Sequence, residues 1–457
     1  MRFVLICLLG AILVLTSCAD RETAKPVKTF YGPAHPEYTM DLTYDNQKHT
    51  IGGVMTVQFE NNLDKTLKNI YFNLWPNADA FKEGEIKINR VRYNNTSSAF
   101  KVEQTKLDIS EITLKPNEKA TVEIDFVVTI PEGSNRFGWE GSSVSLGNWF
   151  PILAVYDHHG WALHPYAPET DSFYSLTGNF DVTLKTDEKQ VIATTGQEVS
   201  EPVKKDGKVV HHYQAKDVRD FAIQMNETYH VKSAMEGKTK INVYYTDEQQ
   251  LQGDEMLEAG RYALHQFNEL YGDYPWPELD IVGMGQAFFA GMEYPQLVMI
   301  SLKKDSGRDY IYLTTAHEIA HQWFYGAVGN DEFREPWLDE SFATYASEDI
   351  MGVLDKLDNV VAPSGDGYDL DAPVSNYYKG KNDLAEDRDF VRMMYSYGAK
   401  TLYDLRQQLG DDLFYKGMRA YYKKMKFKVA TTDDFIRIME KTTGKNLTKF
   451  FKAHHIK

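Results

Sequence analysis

The sequence contains only two cysteines among 457 residues, and this scarcity excludes two classes of protein. Cys7 lies inside an apolar N-terminal segment and Cys18 lies just after it, so the rest of the chain offers neither a disulfide framework nor a catalytic thiol. The chain also lacks an excess of positive charge, with 66 acidic side chains against 50 basic ones and a net charge of -16. Nucleic acid is therefore not an expected partner, because phosphate binding requires a basic face.

The first residues predict export rather than folded structure. After a short basic start, the apolar run from Phe3 to Leu15 is too short to span a bilayer core of about 30 Å. This pattern is typical of a secretory signal peptide, and "LTSC" resembles a bacterial lipobox, in which Cys18 becomes the lipidated first residue. The alternatives are an ordinary signal peptide and an uncleaved anchor with an incidental cysteine. We expect a signal peptide over 1–17, a tether over 18–28, and an extracytoplasmic lipoprotein anchored to a bacterial membrane.

Hydrophobic periodicity divides the remaining chain into two parts. Over 29–230, apolar residues recur with a period of two between turn-rich segments, which predicts an antiparallel β-sheet domain. After Asp247 the period becomes helical, and we place the second domain over 231–457. We therefore expect an α+β multidomain chain in which the second domain is mainly helical and carries the chemistry. The expected helices after Gly272 lie near 311–325, 338–354, 389–409, 411–426 and 432–441.

The stretch "TTAHEIAHQWFYG" over 314–326 bears most directly on function. On a helix, His317 and His321 share one face with their Cβ atoms about 5–6 Å apart, so both imidazoles can reach one tetrahedral zinc ion. Glu318 lies one position round the helix and can reach a water molecule on that ion. A histidine pair on a solvated or buried helix face without metal is the alternative interpretation. A third ligand is available from "EPWLDESFATYAS", where Pro336 suits a helix start and Glu340 lies inside the helix.

Three motifs in this order resemble the aminopeptidase N-like gluzincin zinc metallopeptidases. That family has His-Glu-x-x-His, eighteen residues, and then a Glu within Trp-Leu-Asn/Asp-Glu-Gly-Phe-Ala; here the same spacing separates His321 from Glu340 in "WLDESFA". The family's Gly-x-Met-Glu-Asn segment is matched by "AGMEYPQ", and its Tyr-Ser-Lys-Gly-Ala segment by "YSYGA". Two shorter matches, "NWFP" and "VRDFA", extend the resemblance over most of the chain.

The resemblance implies a thermolysin-like catalytic domain and a role for each matched residue. His317, His321 and Glu340 would hold one Zn²⁺ per chain, leaving an open position for a water molecule that the metal activates. Glu318 would take the proton of that water and pass it to the leaving amine. Tyr395 would donate its phenolic hydrogen to the developing oxyanion.

The resemblance also implies how the substrate is bound. Glu293 would bind the free α-ammonium group, and the backbone at Gly291 and Met292 would lie against the peptide. Ala290 stands where the family has its first glycine, and Tyr294 replaces its asparagine, so we expect the loop backbone to differ.

Other departures from the family pattern concern the surroundings of the site. Tyr397 replaces the family lysine, and we assign it no role. The Asp-Glu-Pro segment of the β domain is absent, so the substrate residue that this segment often supplies is not placed. The large C-terminal helical domain of many relatives is also missing, so a more open cleft is expected. His158, His159 and His164 cluster in "DHHGWALHP", but their spacing favours a polar loop over a metal site.

The leading hypothesis is a surface-anchored zinc aminopeptidase that removes N-terminal residues from peptides. Two alternatives stay open. One is a zinc oligopeptidase or endopeptidase with relaxed N-terminal recognition, and the other is a catalytically silent lipoprotein that binds peptides. The expected partners are peptide substrates and, through a lipid on Cys18, a membrane; the preferred N-terminal residue is not predicted.

Overall fold

The structure is a computed structural model that describes residues 31–167, 170, 173–363, 368–377 and 384–456. The predicted signal peptide over 1–17, the tether over 18–28 and the lipidation at Cys18 lie outside these residues and stay predictions. Within the described ranges, no helix combines the length and the apolar character that crossing a membrane requires.

The N-terminal part consists of β-strands, as the period of two predicts. They are β1 (Ala34–Asp45), β2 (Thr50–Glu60), β3 (Ile70–Asn73), β4 (Glu85–Tyr93), β5 (Thr96–Ser97), β6 (Lys101–Glu103), β7 (Lys106–Ile109), β8 (Lys119–Thr129), β9 (Phe137–Glu140), β10 (Ser143–Leu146), β11 (Ile152–Leu153), β12 (Tyr156–Asp157), β13 (Gly160–Trp161), β14 (Gly178–Thr186), β15 (Val191–Thr194), β16 (Gln197–Glu198), β17 (Val203–Lys205), β18 (Lys208–Val218) and β19 (Ile223–Asn226).

Most of these strands pair in antiparallel fashion. The largest sheet has the order β16-β18-β14-β1-β2-β8-β4-β5, with β17 also on β18, and its β1–β14 pair runs parallel. Two four-stranded sheets, β15-β19-β10-β9 and β11-β3-β7-β6, and the β12–β13 pair complete this part. Along β8, every second residue from Ala120 to Val128 is buried, which is the alternation of a sheet with one face on the core. The predicted β domain is therefore confirmed.

The second part opens with a mixed sheet and continues as helices. The sheet strands are β20 (His230–Glu236), β21 (Thr239–Tyr245), β22 (Glu278–Met284), β23 (Gly291–Met292) and β24 (Leu297–Ser301), in the order β20-β21-β22-β24-β23. The helices are α1 (Gln250–Tyr271), α2 (Arg308–Ala320), α3 (Trp337–Ile350), α4 (Leu384–Val391), α5 (Gly398–Leu409), α6 (Asp411–Met425), α7 (Thr432–Thr443) and α8 (Thr448–Ala453), with a π-helical segment (Arg392–Tyr397). Strands β25 (Val328–Gly329) and β26 (Lys428–Val429) pair in parallel, and short 3₁₀ turns span Trp75–Asn77, Asp79–Phe81, Asp247–Gln249, Leu354–Leu357 and Val374–Asn376.

Two expected helices differ from the structure: the one near 311–325 ends at Ala320, and another is divided. The segment near 389–409 was expected to be continuous, but it divides into α4, the π-helical segment and α5. Apolar periodicity does not distinguish an α-turn from a π-turn, because the extra residue of a π-turn shifts the pattern by only one position. The boundary expected at 230 and 231 falls where β20 begins, and it stays a prediction.

Arg219 links the two parts of the fold. Its guanidinium is buried, and burial lowers its pKa to about 10. It donates hydrogen bonds to three backbone carbonyls: Nε to Tyr325 at 2.9 Å, Nη1 to Ser175 at 2.7 Å and Nη2 to Lys428 at 2.5 Å. Tyr325 has a φ of 117°, a conformation unusual for a side chain with Cβ, so Arg219 holds a strained turn directly after the α2 helix.

Replacing Arg219 by methionine should lower the free energy of unfolding by about 3–5 kcal/mol, because it leaves buried carbonyls without their donor. Chemical denaturation followed by tryptophan fluorescence measures the change. Arg90→Met is the matched control, since Arg90 forms an exposed ion pair with Glu123 on the large sheet. The control should change stability by less than about 1 kcal/mol, and equal losses in the two variants would contradict the role of Arg219.

Candidate active site

Helix α2 presents the two histidines to the interior. Ile311 and Ile319 are buried in the core and fix the helix orientation. Asp309 lies in the first turn, where its negative charge interacts favourably with the helix dipole. His317 lies in the last turn, and His321 follows directly after Ala320 in a helical conformation. The rings therefore lie one turn apart in an edge-to-face arrangement, with their centroids 4.8 Å from each other.

Three side chains converge at this point. Nε2 of His317 and Nε2 of His321 lie 3.1 Å apart, and Oε2 of Glu340 lies 3.3 Å from the first and 3.5 Å from the second. Ligand atoms around one tetrahedral zinc, each about 2.0–2.1 Å from the metal, are separated by about 3.3–3.4 Å. Oε2 of Glu340 is buried and accepts no well-formed hydrogen bond from the described residues. The geometry and the two-nitrogen, one-oxygen donor set fit Zn²⁺.

The charge states of His317 and Glu340 also suit metal binding. Burial lowers the pKa of His317, which favours the neutral ring that ligates a metal, although Glu340 opposes this effect. Burial alone would raise the pKa of the Glu340 carboxyl, but the two histidines outweigh it and hold that pKa well below the ordinary value. Glu340 is therefore an anion that can balance part of the charge of a divalent ion.

Asp339, which directly precedes Glu340 in the sequence, is a further contributor to the site. Its Oδ1 lies 2.5 Å from Nδ1 of His321, and both side chains are buried. This contact fixes the tautomer and orientation of the ring, so that Nε2 faces the metal position. The sequence shows that Asp339 is adjacent to Glu340. Its contact with His321 depends on how α2 and α3 cross, which the sequence does not show.

Asp339→Asn should weaken zinc affinity by about 10–100-fold, because the neutral amide holds the His321 ring less firmly and lowers its basicity. Competition with a zinc chelator measures the affinity. Asp309→Asn, which changes an exposed aspartate at the start of the same α2 helix, is the control and should leave zinc affinity unchanged. Equal affinities in Asp339→Asn and the parent protein would show that Asp339 does not support the ligand.

Two further carboxylates border the three ligands. Ligand atoms of Glu293, Glu318 and His321 all lie within 4.8 Å of one another, and both glutamates are buried. Gly291 lies on the edge strand β23 directly against Glu318, since a Cβ at residue 291 would lie 2.1 Å from Oε1 of Glu318. A side chain at residue 291 would displace the Glu318 carboxylate, so glycine lets β23 pass close over α2. Met292 follows it on the strand and is buried.

The segment that carries Glu293 is held from two sides. Nε2 of Gln322 donates to the carbonyl of Tyr294 at 3.1 Å, and Oε1 of Gln322 accepts from the amide of Gln296 at 2.8 Å. On the other side, the hydroxyl of Tyr294 donates to Oδ1 of Asn148 in the β domain at 2.8 Å, and the Asn148 amide donates to Asp220. Tyr294, which stands where the family has asparagine, therefore connects this segment to the β domain.

Tyr395, in the π-helical segment, lies beside Glu340 and His317. Its hydroxyl donates to Oε1 of Glu340 at 2.5 Å, and its ring stacks 6.1 Å from that of His317. The π-helical segment is brought against α3 by a close contact, because a Cβ at Gly398 would lie 1.8 Å from Oγ of Ser341. The Ser341 hydroxyl also donates to the carbonyl of Met394. These contacts place the phenol beside the ligands.

The ligands and both carboxylates open into one cavity of about 550 Å³. Phe288, Phe289, Leu313 and Val391 contribute an apolar wall, and Arg136 reaches in from the β domain. A peptide end fits such a volume. A separate cavity of about 630 Å³, lined by Glu140 and Gln252 among others, contains none of the ligand residues.

The residues that line this cavity do not include His158, His159, His164 or Tyr397. His164 pairs with Asp331 at 3.1 Å, and the rings of His158 and His159 lie 3.7 Å apart. Among the described residues, the groups able to hold a metal are the three ligands and the overlapping set of Glu293, Glu318 and His321. The ring of Tyr397 lies 5.6 Å from that of His455, beside the C-terminal residues.

Comparisons with known proteins agree with this geometry. Residues 255–454 match the peptidase family M1 domain. Endoplasmic reticulum aminopeptidase 2 of Bos taurus is 24% identical over 382 residues, which cover 78% of this chain and 39% of that protein. Aminopeptidase M1-B of Oryza sativa subsp. japonica is 28% identical over 229 residues, which cover 46% of this chain and 26% of that protein. The chain thus spans less than half the length of these curated relatives.

A solved structure covers both parts of the fold. The M1 zinc metallopeptidase from Deinococcus radiodurans superimposes with a TM-score of 0.66 at 16% identity, covering 93% of this chain and 94% of that one. The β domain, the mixed sheet and the helices of this chain therefore have the same overall fold as that structure. The match of residues 255–454 to the peptidase family M1 domain agrees with the resemblance of the chain's motifs.

Proposed function

We propose that this protein is a zinc-dependent aminopeptidase that removes N-terminal residues from peptides. The observation that carries the proposal is the position of Glu293, whose carboxylate lies within 4.8 Å of the ligand atoms of Glu318 and His321. In a peptide, the α-nitrogen is separated from the first carbonyl carbon by only one atom. A carboxylate this close to the ligands therefore binds the terminal ammonium while the first carbonyl lies at the metal position.

The residues around this point divide the work of hydrolysis. His317, His321 and Glu340 would hold zinc, which would act as a Lewis acid that polarises a carbonyl and eases deprotonation of water. Glu318 accepts the proton of the attacking water and delivers it to the leaving nitrogen. Tyr395 donates a hydrogen bond to the oxygen on which negative charge develops. Glu293 and strand β23 hold the N-terminal end of the peptide beside these groups.

Glu293→Gln tests end recognition. Losing the charge partner of the ammonium should raise KM for free peptides by about 10–100-fold. Peptides with a free and an N-acetylated end should be compared by mass spectrometry; the parent protein should cleave only the free form, and the variant should discriminate less. Glu140→Gln, on β9 beside the separate cavity, is the control. Cleavage of acetylated peptides at the same rate by the parent protein would favour an oligopeptidase or endopeptidase.

A catalytically silent peptide-binding protein is the alternative from a different class. Zinc content and turnover of a panel of aminoacyl-anilides, before and after a chelator, separate the two. We expect one zinc per chain and activity that the chelator abolishes and zinc restores. Absence of bound zinc together with absence of turnover on every substrate would contradict the proposed function.

We further propose that the protein is exported and held at a bacterial membrane through a lipid on Cys18. The support is the sequence pattern before that cysteine, which lies outside the described residues. Cys18→Ser should release the protein from the membrane fraction and prevent incorporation of labelled fatty acid. Membrane retention without fatty-acid labelling would instead indicate an uncleaved apolar anchor.

A further inference from the structure

The cavity extends from the metal ligands in a defined direction. Ala290 lies beside the N-terminal half of α2, where the hydroxyl of Tyr310 approaches its carbonyl at 3.5 Å. Gly291 lies against Glu318, and the Tyr294 carbonyl lies against Gln322 at the other end of the helix. The segment 290–294 therefore runs alongside α2 in the same direction. A peptide whose ammonium is at Glu293 continues toward Ala290 and the start of α2 once it has passed the metal position.

Helix α3 runs against α2 in the opposite sense. At one end, Asp339 contacts His321, and the rings of Phe342 and Phe324 lie 5.1 Å apart. At the other end, residues from the first half of α2 and the second half of α3 line the same cavity: Leu313, Thr314, Thr344, Ser347 and Glu348. This end lies on the side of the leaving group, so it receives the peptide residues after the scissile bond.

The α3 wall of the cavity carries acceptors at a regular spacing. Glu340, Thr344 and Glu348 follow one another every four residues, so they occupy one face of the helix. Oγ1 of Thr344 and Oε2 of Glu348 are buried and have no hydrogen-bond partner among the described residues. Eight residues of helix separate Glu348 from Glu340 by about 12 Å. A carboxylate therefore lies two turns beyond the metal ligand, in the wall of the same cavity.

Glu348 is only partly compensated inside the protein. Its Oε1 pairs with Nζ of Lys356 at 2.8 Å, but the glutamate side chain is 8% exposed and the lysine side chain 46%. Burial raises the pKa of the Glu348 carboxyl, although Lys356 opposes the rise. A buried carboxylate with an unused oxygen in a cavity wall attracts a cation that can donate hydrogen bonds to it.

We propose that Glu348 is a specificity-determining residue that binds the cationic side chain of a lysine or arginine immediately after the scissile bond. That residue starts within one residue length, about 3.3–3.6 Å, of the cleaved carbonyl. Only a long side chain spans the remaining distance along α3, and lysine and arginine carry a cation at the end of such a side chain. The inference rests on the proposed function, since it assumes that the ammonium end lies at Glu293.

The test compares three peptides, Ala-Lys-Ala, Ala-norleucine-Ala and Ala-Glu-Ala, by the initial rate of alanine release. Norleucine keeps the length of lysine without its charge. The parent protein should show kcat/KM for the lysine peptide at least about tenfold above that for norleucine, with glutamate the poorest. Glu348→Gln should reduce the ratio of lysine to norleucine to about one. Lys356→Met, which removes the internal partner, should maintain or increase that ratio.

The outcomes separate the inference from the function on which it rests. A ratio of about one in the parent protein overturns the inference whatever the variants do, and so does a high ratio that Glu348→Gln leaves unchanged. Equal losses of the ratio and of thermal stability in Glu348→Gln and Lys356→Met would show that the ion pair is structural. If the zinc-loaded parent protein releases alanine from none of the peptides and turns over no aminoacyl-anilide, the proposed function fails and the inference with it.

Discussion

Glu318→Gln should lower kcat by about 10²–10⁴-fold while zinc stays bound. Glutamine has the shape of glutamate but cannot accept the proton of the attacking water or return it to the leaving nitrogen. Glu318 lies one position round the helix from His317, and its carboxylate is within 4.8 Å of the ligand atoms of His321 and Glu293. It can therefore reach both the attacking water at the metal position and the leaving nitrogen. Steady-state hydrolysis of an aminoacyl-anilide, with zinc content measured on the same sample, gives the effect.

The matched control is Glu258→Gln on α1, an exposed glutamate that pairs with Arg308 at the start of α2. This substitution changes the same chemical group near the same helix without touching the cavity, and it should leave kcat unchanged. If Glu318→Gln lost zinc as well as activity, the glutamate would be supporting the metal rather than moving a proton. If it retained most of kcat, another base would have to carry the reaction.

The features that sequence reasoning could predict are those set by local geometry. The spacing of His317 and His321 is a property of one helix, and the alternation along β8 is a property of one strand, so both follow from a few consecutive residues. Glu340 required more, because it comes from a second helix. The sequence offered it as a candidate third ligand, and the match of its spacing and surrounding residues to a known family indicated that it reaches the same point.

The features that could not be predicted depend on contacts between distant segments. Tyr294 reaches Asn148 across the domain junction, and the sequence showed only that the family asparagine is missing. Asp339 and Glu340 are adjacent, yet one contacts Nδ1 of His321 and the other lies at its Nε2, a division that only the crossing of α2 and α3 sets. The π-helical turn before Tyr395 was hidden because its apolar pattern is that of an ordinary helix.

Tyr395→Phe should lower kcat by about 10²–10³-fold with little change in KM. The phenol donates to Oε1 of Glu340 at 2.5 Å, so its hydrogen lies beside the point where the carbonyl oxygen of the substrate becomes negative. A donor fixed in a buried site stabilises that charge without the cost of reorganising water. The ground-state peptide carries less charge on this oxygen, which is why binding should change much less than turnover.

The control for this substitution is two residues away. Tyr397→Phe removes a hydroxyl from the same π-helical segment, but the Tyr397 ring lies near His455 rather than the ligands, so activity should be unchanged. The hydrogen bond to Glu340 offers a competing role for Tyr395, in which the phenol only supports the metal ligand. That role predicts weaker zinc affinity and normal kcat in the zinc-saturated variant, whereas oxyanion stabilisation predicts normal affinity and a low kcat at saturating zinc.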